Sequence, residues 1–155
     1  MSPALPTAAP RKKPVNPRHR ARQFVLQGLY QSLVGDQDQA AILAQAVGVE
    51  GFDKIDRELY QTLLAKTLGE ADALQQELSP FLDRPWTAVS PIERGILLLG
   101  ACEFAHFPQT PYRVVLNEAI ELARSYGGTD GHRFVNGILD KLAAKLRPEE
   151  ARRTP

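Results

Sequence analysis

The sequence predicts an all-α fold of about seven helices, arranged as two small helical subdomains that share one core. Three observations lead there. Apolar residues recur at spacings of three and four in most segments from Phe24 to Leu142, and no segment alternates as a half-buried strand would. Helix start and stop signals punctuate these stripes, most clearly Ser90-Pro91-Ile92-Glu93 and Gly127-Gly128. Finally, Ile96-Leu97-Leu98-Leu99 is apolar around most of a helical turn, which marks its helix as the central, most buried element.

Taken in order, residues 1–17 contain five prolines and no periodic apolar face, so they read as a disordered arm. Arg18-His19-Arg20-Ala21-Arg22 runs directly into Phe24, Val25, Leu26, Leu29, Tyr30 and Leu33, a helix that begins basic and fades near Gly35-Asp36. Cations at a helix start oppose its dipole, and an anion seated there relieves the conflict. A solvated basic turn is the plainer alternative. Ala40 to Val47 forms a short second helix. Asp53 is the expected N-cap of the third, which carries Ile55, Leu59, Leu63 and Leu64 as far as Gly69.

Leu74, Leu78, Phe81 and Leu82 continue in a helix that weakens at Ser79-Pro80, and 83–89 reads as a connector with Trp86 at the core edge. Ser90 caps the central helix, Pro91 takes its first position and Glu93 closes a capping box. Thr110-Pro111 repeats that device and opens a closing hairpin. Its two stripes are Val115, Ala119, Leu122 and Tyr126, then Phe134, Val135, Ile138, Leu139 and Leu142, with Thr129 or Asp130 as the second cap. The domain therefore spans 18–147, and 148–155 is expected to fray.

The formal charge of +1 on 155 residues conceals an uneven distribution. Residues 1–22 hold six Lys/Arg and no acid, whereas the rest holds thirteen against eighteen Asp/Glu, giving a basic arm on a mildly acidic body. The single cysteine, Cys102, sits in an apolar run and reads as core; one cysteine makes neither an intramolecular disulfide nor a multi-cysteine zinc site. His19, His106 and His132 lack metal-ligand spacing, and no phosphate loop of the P-loop pattern occurs. Glu118 and Glu121 share a helix face, as solvated carboxylates routinely do. No metal, cofactor or catalytic constellation is expected. The apolar run 96–104 is shorter than the ~20 residues that cross a bilayer, and residues 1–17 lack a secretory apolar stretch, so no membrane association and a cytoplasmic location are expected.

Binding is better supported. The corner of the closing hairpin gathers Tyr126, Asp130, His132, Arg133 and Phe134, and the basic arm leads to a helix bearing Tyr30. Cations that draw phosphates together with rings that stack bases suit single-stranded nucleic acid. Periodicity alone assigns Tyr126 and Phe134 to the core, so both readings stand at this point.

These residues also resemble a known family, the bacterial transcription antitermination factors NusB. The likeness is carried by Arg20-Ala21-Arg22 leading to Leu26-Gln27-Gly28-Leu29-Tyr30-Gln31, by Ser90 to Leu98, by Pro111-Tyr112 with Asn117 to Ala123, and by Phe134-Val135-Asn136-Gly137-Ile138-Leu139-Asp140-Lys141. It covers roughly 18–147. The resemblance implies a non-enzymatic helical protein that binds the single-stranded boxA element of ribosomal RNA transcripts. It implies pairing with ribosomal protein NusE within an antitermination complex on RNA polymerase. By position it assigns Arg18, Arg20 and Arg22 to an arginine-rich RNA-binding start, with Tyr30 near that surface. Asp130, Arg133 and Phe134 fall in a second RNA-contacting region with Tyr126 close by, and Glu93 falls on the NusE-facing surface. Some members self-associate through the RNA-facing surface, which makes a homodimer a further expectation. His19 interrupts the arginine run, and the proline-rich extension is longer than the family leads one to expect. Two rivals are an RNA-binding accessory to a ribosomal RNA cytosine methyltransferase and a purely protein-binding helical adaptor.

Overall fold

A computed structural model describes residues 3–5 and 16–153. The expected disorder of the arm falls largely outside these residues. The described chain is all-helical: α1 (Pro17–Gly35), α2 (Gln39–Val47), α3 (Arg57–Gly69), α4 (Ala71–Leu78), α5 (Pro91–His106), α6 (Tyr112–Tyr126), α7 (Gly131–Leu146) and α8 (Pro148–Arg153). Short 3-10 turns occupy 52–54, 79–81 and 86–88.

The centre is α5, as its apolar run demands. Every residue from Gly95 to Phe104 is buried, and the helix packs against α1, α3, α4, α6 and α7. Two glycines permit that crowding. A Cβ on Gly95 would lie 2.8 Å from Leu26 of α1, and one on Gly100 would lie 2.8 Å from Leu139 of α7. Helices α1 to α4 wrap one side of α5 and the α6–α7 hairpin the other, so one apolar cluster serves both halves.

Local chemistry sets most boundaries. Asn16 caps α1 through the Arg18 and His19 N–H groups, Pro17 takes the first position, and Asp36 ends the helix at φ +53°. Asp38 caps α2, and Ser90 accepts from Glu93 N at 3.2 Å to open α5 as expected. Cys102 is fully buried, and burial pushes its thiol up to about 11.

Three expectations fail for tertiary reasons. Asp53 caps nothing. Gly51, at φ +91°, turns the chain so that Phe52 enters an edge-to-face aromatic cluster with Phe24 and Tyr60 at 5.3 Å each, and α3 restarts at Asp56. Thr110 does not cap α6; its hydroxyl is buried without a partner, and Glu150 accepts from Tyr112 N at 2.8 Å instead. The tail expected to fray from 148 begins instead as α8, which Arg147 holds in place. That side chain is buried and donates to the carbonyls of Glu103, Phe104, Phe107 and Thr110 at 2.9 to 3.0 Å, and to Glu150 at 2.8 Å. It satisfies carbonyls at and beyond the end of α5 and folds α8 back onto the start of α6.

Candidate nucleic-acid interface

The arginines at the start of α1 separate by face. Arg18 is exposed, and Arg20 is half-buried with its guanidinium 4.8 Å from the Phe24 ring centroid and 2.9 Å from Gln23 Oε1. Arg22 departs from the surface role. It is 1% exposed and forks onto Glu103 of α5, Nε to Oε2 at 2.9 Å and NH2 to Oε1 at 2.7 Å. Burial by itself lowers its pKa, but the hydrogen bonds and charge of Glu103, with Glu118 and Asp56 adding, raise it overall. A phosphate does not reach a cation enclosed and neutralised in this way, so Arg22 leaves the RNA-contact set. Its neighbour His19 is also buried and bonds Glu118 through Nδ1, so Glu118 ties both side chains to α6. Glu121 instead pairs with Arg124 at 3.6 Å.

Arg20 and Tyr126 line the same groove, a cavity of about 510 Å³ between α1, α2, α3 and the end of α6. Phe24 and Tyr60 contribute rings, and Gln23, Gln27, Gln31 and Gln45 contribute amides. The Tyr60 hydroxyl is buried without a hydrogen-bond partner. Thus the first helix and the end of α6 meet at one surface, and only the fold brings them there. Tyr30, on α1, is half-buried and is not part of that lining.

The other corner residues form a second cluster at the start of α7. Asp130 stands at its N-cap position without a side-chain cap bond, and Arg133 is exposed. Glu93 lies across this helix start, its Oε2 2.8 Å from where a Gly131 Cβ would stand, so a carboxylate faces the positive end of α7. The opening of α5 and the start of α7 therefore compete for one side chain, and the Glu93 carboxylate lies against α7. Phe134 is half-buried, packs on the core and carries the Arg84 guanidinium 4.4 Å from its centroid; Arg84 also bonds Asp83 at 2.7 Å. Arg84 was legible only as part of a connector. A cation over the ring changes what a base meets there, since guanidinium planes themselves stack on bases.

Among the described residues, no cluster of His, Cys, Asp or Glu is arranged to hold a metal, and no helix is long and apolar enough to cross a membrane. A helical fold with one buried arginine–glutamate tie, a groove shared by the basic helix and the hairpin corner, and a cation-covered ring defines a class of small helical proteins with two aromatic-basic patches. The profile of the NusB family matches residues 19–144, and the chain belongs to that family. Relatives named transcription antitermination protein NusB include that of Azoarcus sp. (strain BH72), 58% identical over 86% of each chain. That of Aromatoleum aromaticum is 56% identical over 86% of this chain and 92% of its own. A solved structure of T. maritima NusB superposes with a TM-score of 0.76 at 26% identity, covering 89% of this chain and 98% of that one.

Proposed function

We propose that this protein is a non-catalytic, cytoplasmic transcription antitermination factor that binds boxA RNA of ribosomal RNA transcripts together with ribosomal protein NusE. The pair would act on RNA polymerase within an antitermination complex. Family membership supports the class, and the observation that carries the RNA reading is the meeting of Arg20 and Tyr126 at one groove. Arg18, Arg20 and Arg133 supply exposed or half-exposed charge, Tyr30, Tyr126 and Phe134 supply rings, and Asp130 offers a carboxylate acceptor for a base or ribose donor. Glu93 is assigned to the NusE-facing surface.

Arg22 is not part of this set, which reduces the phosphates neutralised to about three to five and the log–log salt slope for single-stranded RNA to roughly −2 to −3.5. The test is binding to boxA RNA against a scrambled control, with and without NusE, across a salt series. The reading expects preference for boxA, strengthened by NusE, with that slope. Equal binding to the scrambled RNA under all conditions, or a slope near zero, overturns it.

A further inference from the structure

The groove beside Arg20 is walled in part by the chain's own beginning. Gln27 Nε2 donates to the Pro3 carbonyl at 2.8 Å, and Gln27 Oε1 accepts from Leu5 N–H at 2.9 Å. One amide side chain therefore reads the carbonyl of one residue and the N–H of the next but one, a pairing that an extended segment presents along one edge. Leu5 packs against the core cluster, and Pro3 sits over the end of α1, where a Cβ on Gly35 would come within 2.8 Å of its Cδ. Pro3, Ala4 and Leu5 line the same cavity as Arg20, Gln23 and Tyr126.

The direction of the seated segment is informative. Pro3 lies at the C-terminal end of α1 and Leu5 beside Gln27, so the segment runs back towards the start of the helix it precedes. Residues 6–15 join it to Asn16 along the chain and carry Arg11, Lys12 and Lys13. Proline at position 3 and again at position 6 suits this seat: each fixes φ and disfavours helix in the residue before it, which lowers the entropy lost on docking in an extended form.

We propose that Pro3-Ala4-Leu5 is a tethered strap that docks in this groove through Gln27 and competes there with a transcript for Arg20 and Tyr126. The inference rests on the RNA reading above and adds regulation of the same site. The extension then acts in two opposed ways. Its apolar tip narrows the groove, and its basic middle raises non-specific attraction to phosphate. A strap seated about nine-tenths of the time weakens apparent RNA affinity about tenfold.

The test compares three proteins: the complete chain, a deletion of residues 2–5 that keeps the basic stretch Arg11-Lys12-Lys13 intact, and the Leu5→Asp variant. Each is titrated with fluorescent boxA RNA, and the Gln27 side-chain amide resonances are recorded without RNA. The strap model expects both variants to shift the Gln27 amide signals and to bind RNA several-fold to tenfold tighter at an unchanged salt slope. A synthetic Ser-Pro-Ala-Leu-Pro peptide added in trans should weaken RNA binding to the deletion protein. Unmoved Gln27 signals show that the strap does not dock, and shifted signals with unchanged or weaker RNA affinity show that it does not compete; either result overturns the proposal. If none of the proteins binds boxA, the RNA reading fails and competition fails with it, while the Gln27 signals still report on docking alone.

Discussion

Arg22 and Glu103 form a two-pronged ion pair, at 2.9 and 2.7 Å, between α1 and α5 where neither side chain is more than 1% exposed. Because Glu118 also faces Arg22 at 3.5 Å, three helices meet at this charge cluster. Arg22→Ala leaves Glu103 buried and unpaired, a change that costs about 3–5 kcal/mol. The double variant Arg22→Met, Glu103→Leu removes both charges and should lie much closer to the parent. Chemical denaturation of the two proteins checks this, and equal destabilisation in both would refute the unpaired-charge account. A loss of RNA binding in Arg22→Ala is accordingly expected to follow its loss of structure.

Arg147 should matter nearly as much, although it follows the last long helix. Its guanidinium serves four carbonyls at once; in Arg147→Ala the Glu103 and Phe107 carbonyls keep the Phe107 and Thr110 N–H groups, whereas the Phe104 and Thr110 carbonyls lose their partner, each at about 1–3 kcal/mol. Arg147→Lys should restore little, because one ammonium lacks the planar fork that reaches them all. Thermal melting distinguishes the cases; a fully rescued melting temperature in Arg147→Lys would show that charge alone suffices.

Gly137 predicts the opposite sign. It lies within α7, is exposed, and a Cβ there meets nothing within 4 Å. Gly137→Ala should stabilise the protein by about 0.5–1 kcal/mol, from reduced backbone freedom in the unfolded chain and better helix propensity. A raised denaturation midpoint with an unchanged slope is the expected result. No change, or a fall, would indicate a contact at Gly137 beyond those within the folded chain.

The alkaline limb of stability is set by buried neutral groups. Burial pushes the Tyr60 hydroxyl up to about 12; burial, reinforced by the hydrogen bond and charge of Asp140, does the same for Tyr112. Burial holds the Cys102 thiol at about 11 against an ordinary value of 9.0. A pKa raised on folding contributes stability that is complete below the unfolded value and disappears as pH climbs through the folded one. Stability should therefore hold to about pH 9, decline as the thiol's contribution fades, and fall more steeply from about pH 10 to 12. Cys102→Ala should remove the first part of that decline. Tyrosinate absorbance should show Tyr60 and Tyr112 titrating late in the folded protein, and ionisation of these two near pH 10 would contradict it.

On the proposed RNA reading, Arg84 and Phe134 share the second aromatic-basic patch. Phe134→Ala should weaken boxA binding by ~1–3 kcal/mol if a base stacks on this pair. Arg84→Ala exposes the ring but removes a cation, so it should flatten the salt slope by about 0.7 while sparing base preference. Fluorescence titration at several salt concentrations separates the two effects, and unchanged binding in both folded variants would move the site elsewhere.

Taken alone, the chain specified its helices wherever the deciding interaction was local. Ser90 with Pro91, the Gly127 turn and the apolar run of α5 all act within a turn or two of backbone, so spacing and chemistry suffice. Family likeness was equally legible, because it resides in short stretches of sequence. The tertiary structure decided the rest, since each remaining outcome depends on a partner distant along the chain. Arg22 and Arg20 look alike in sequence, but only packing sets Glu103, 81 residues away, against one of them and leaves the other beside the groove. Asp53 lost its cap to the burial of Phe52, Thr110 lost its role to Glu150, and Arg147 found carbonyls that no local pattern could announce. Burial and long-range pairing depend on how the helices assemble, and a pattern read along one chain holds only half of each such contact.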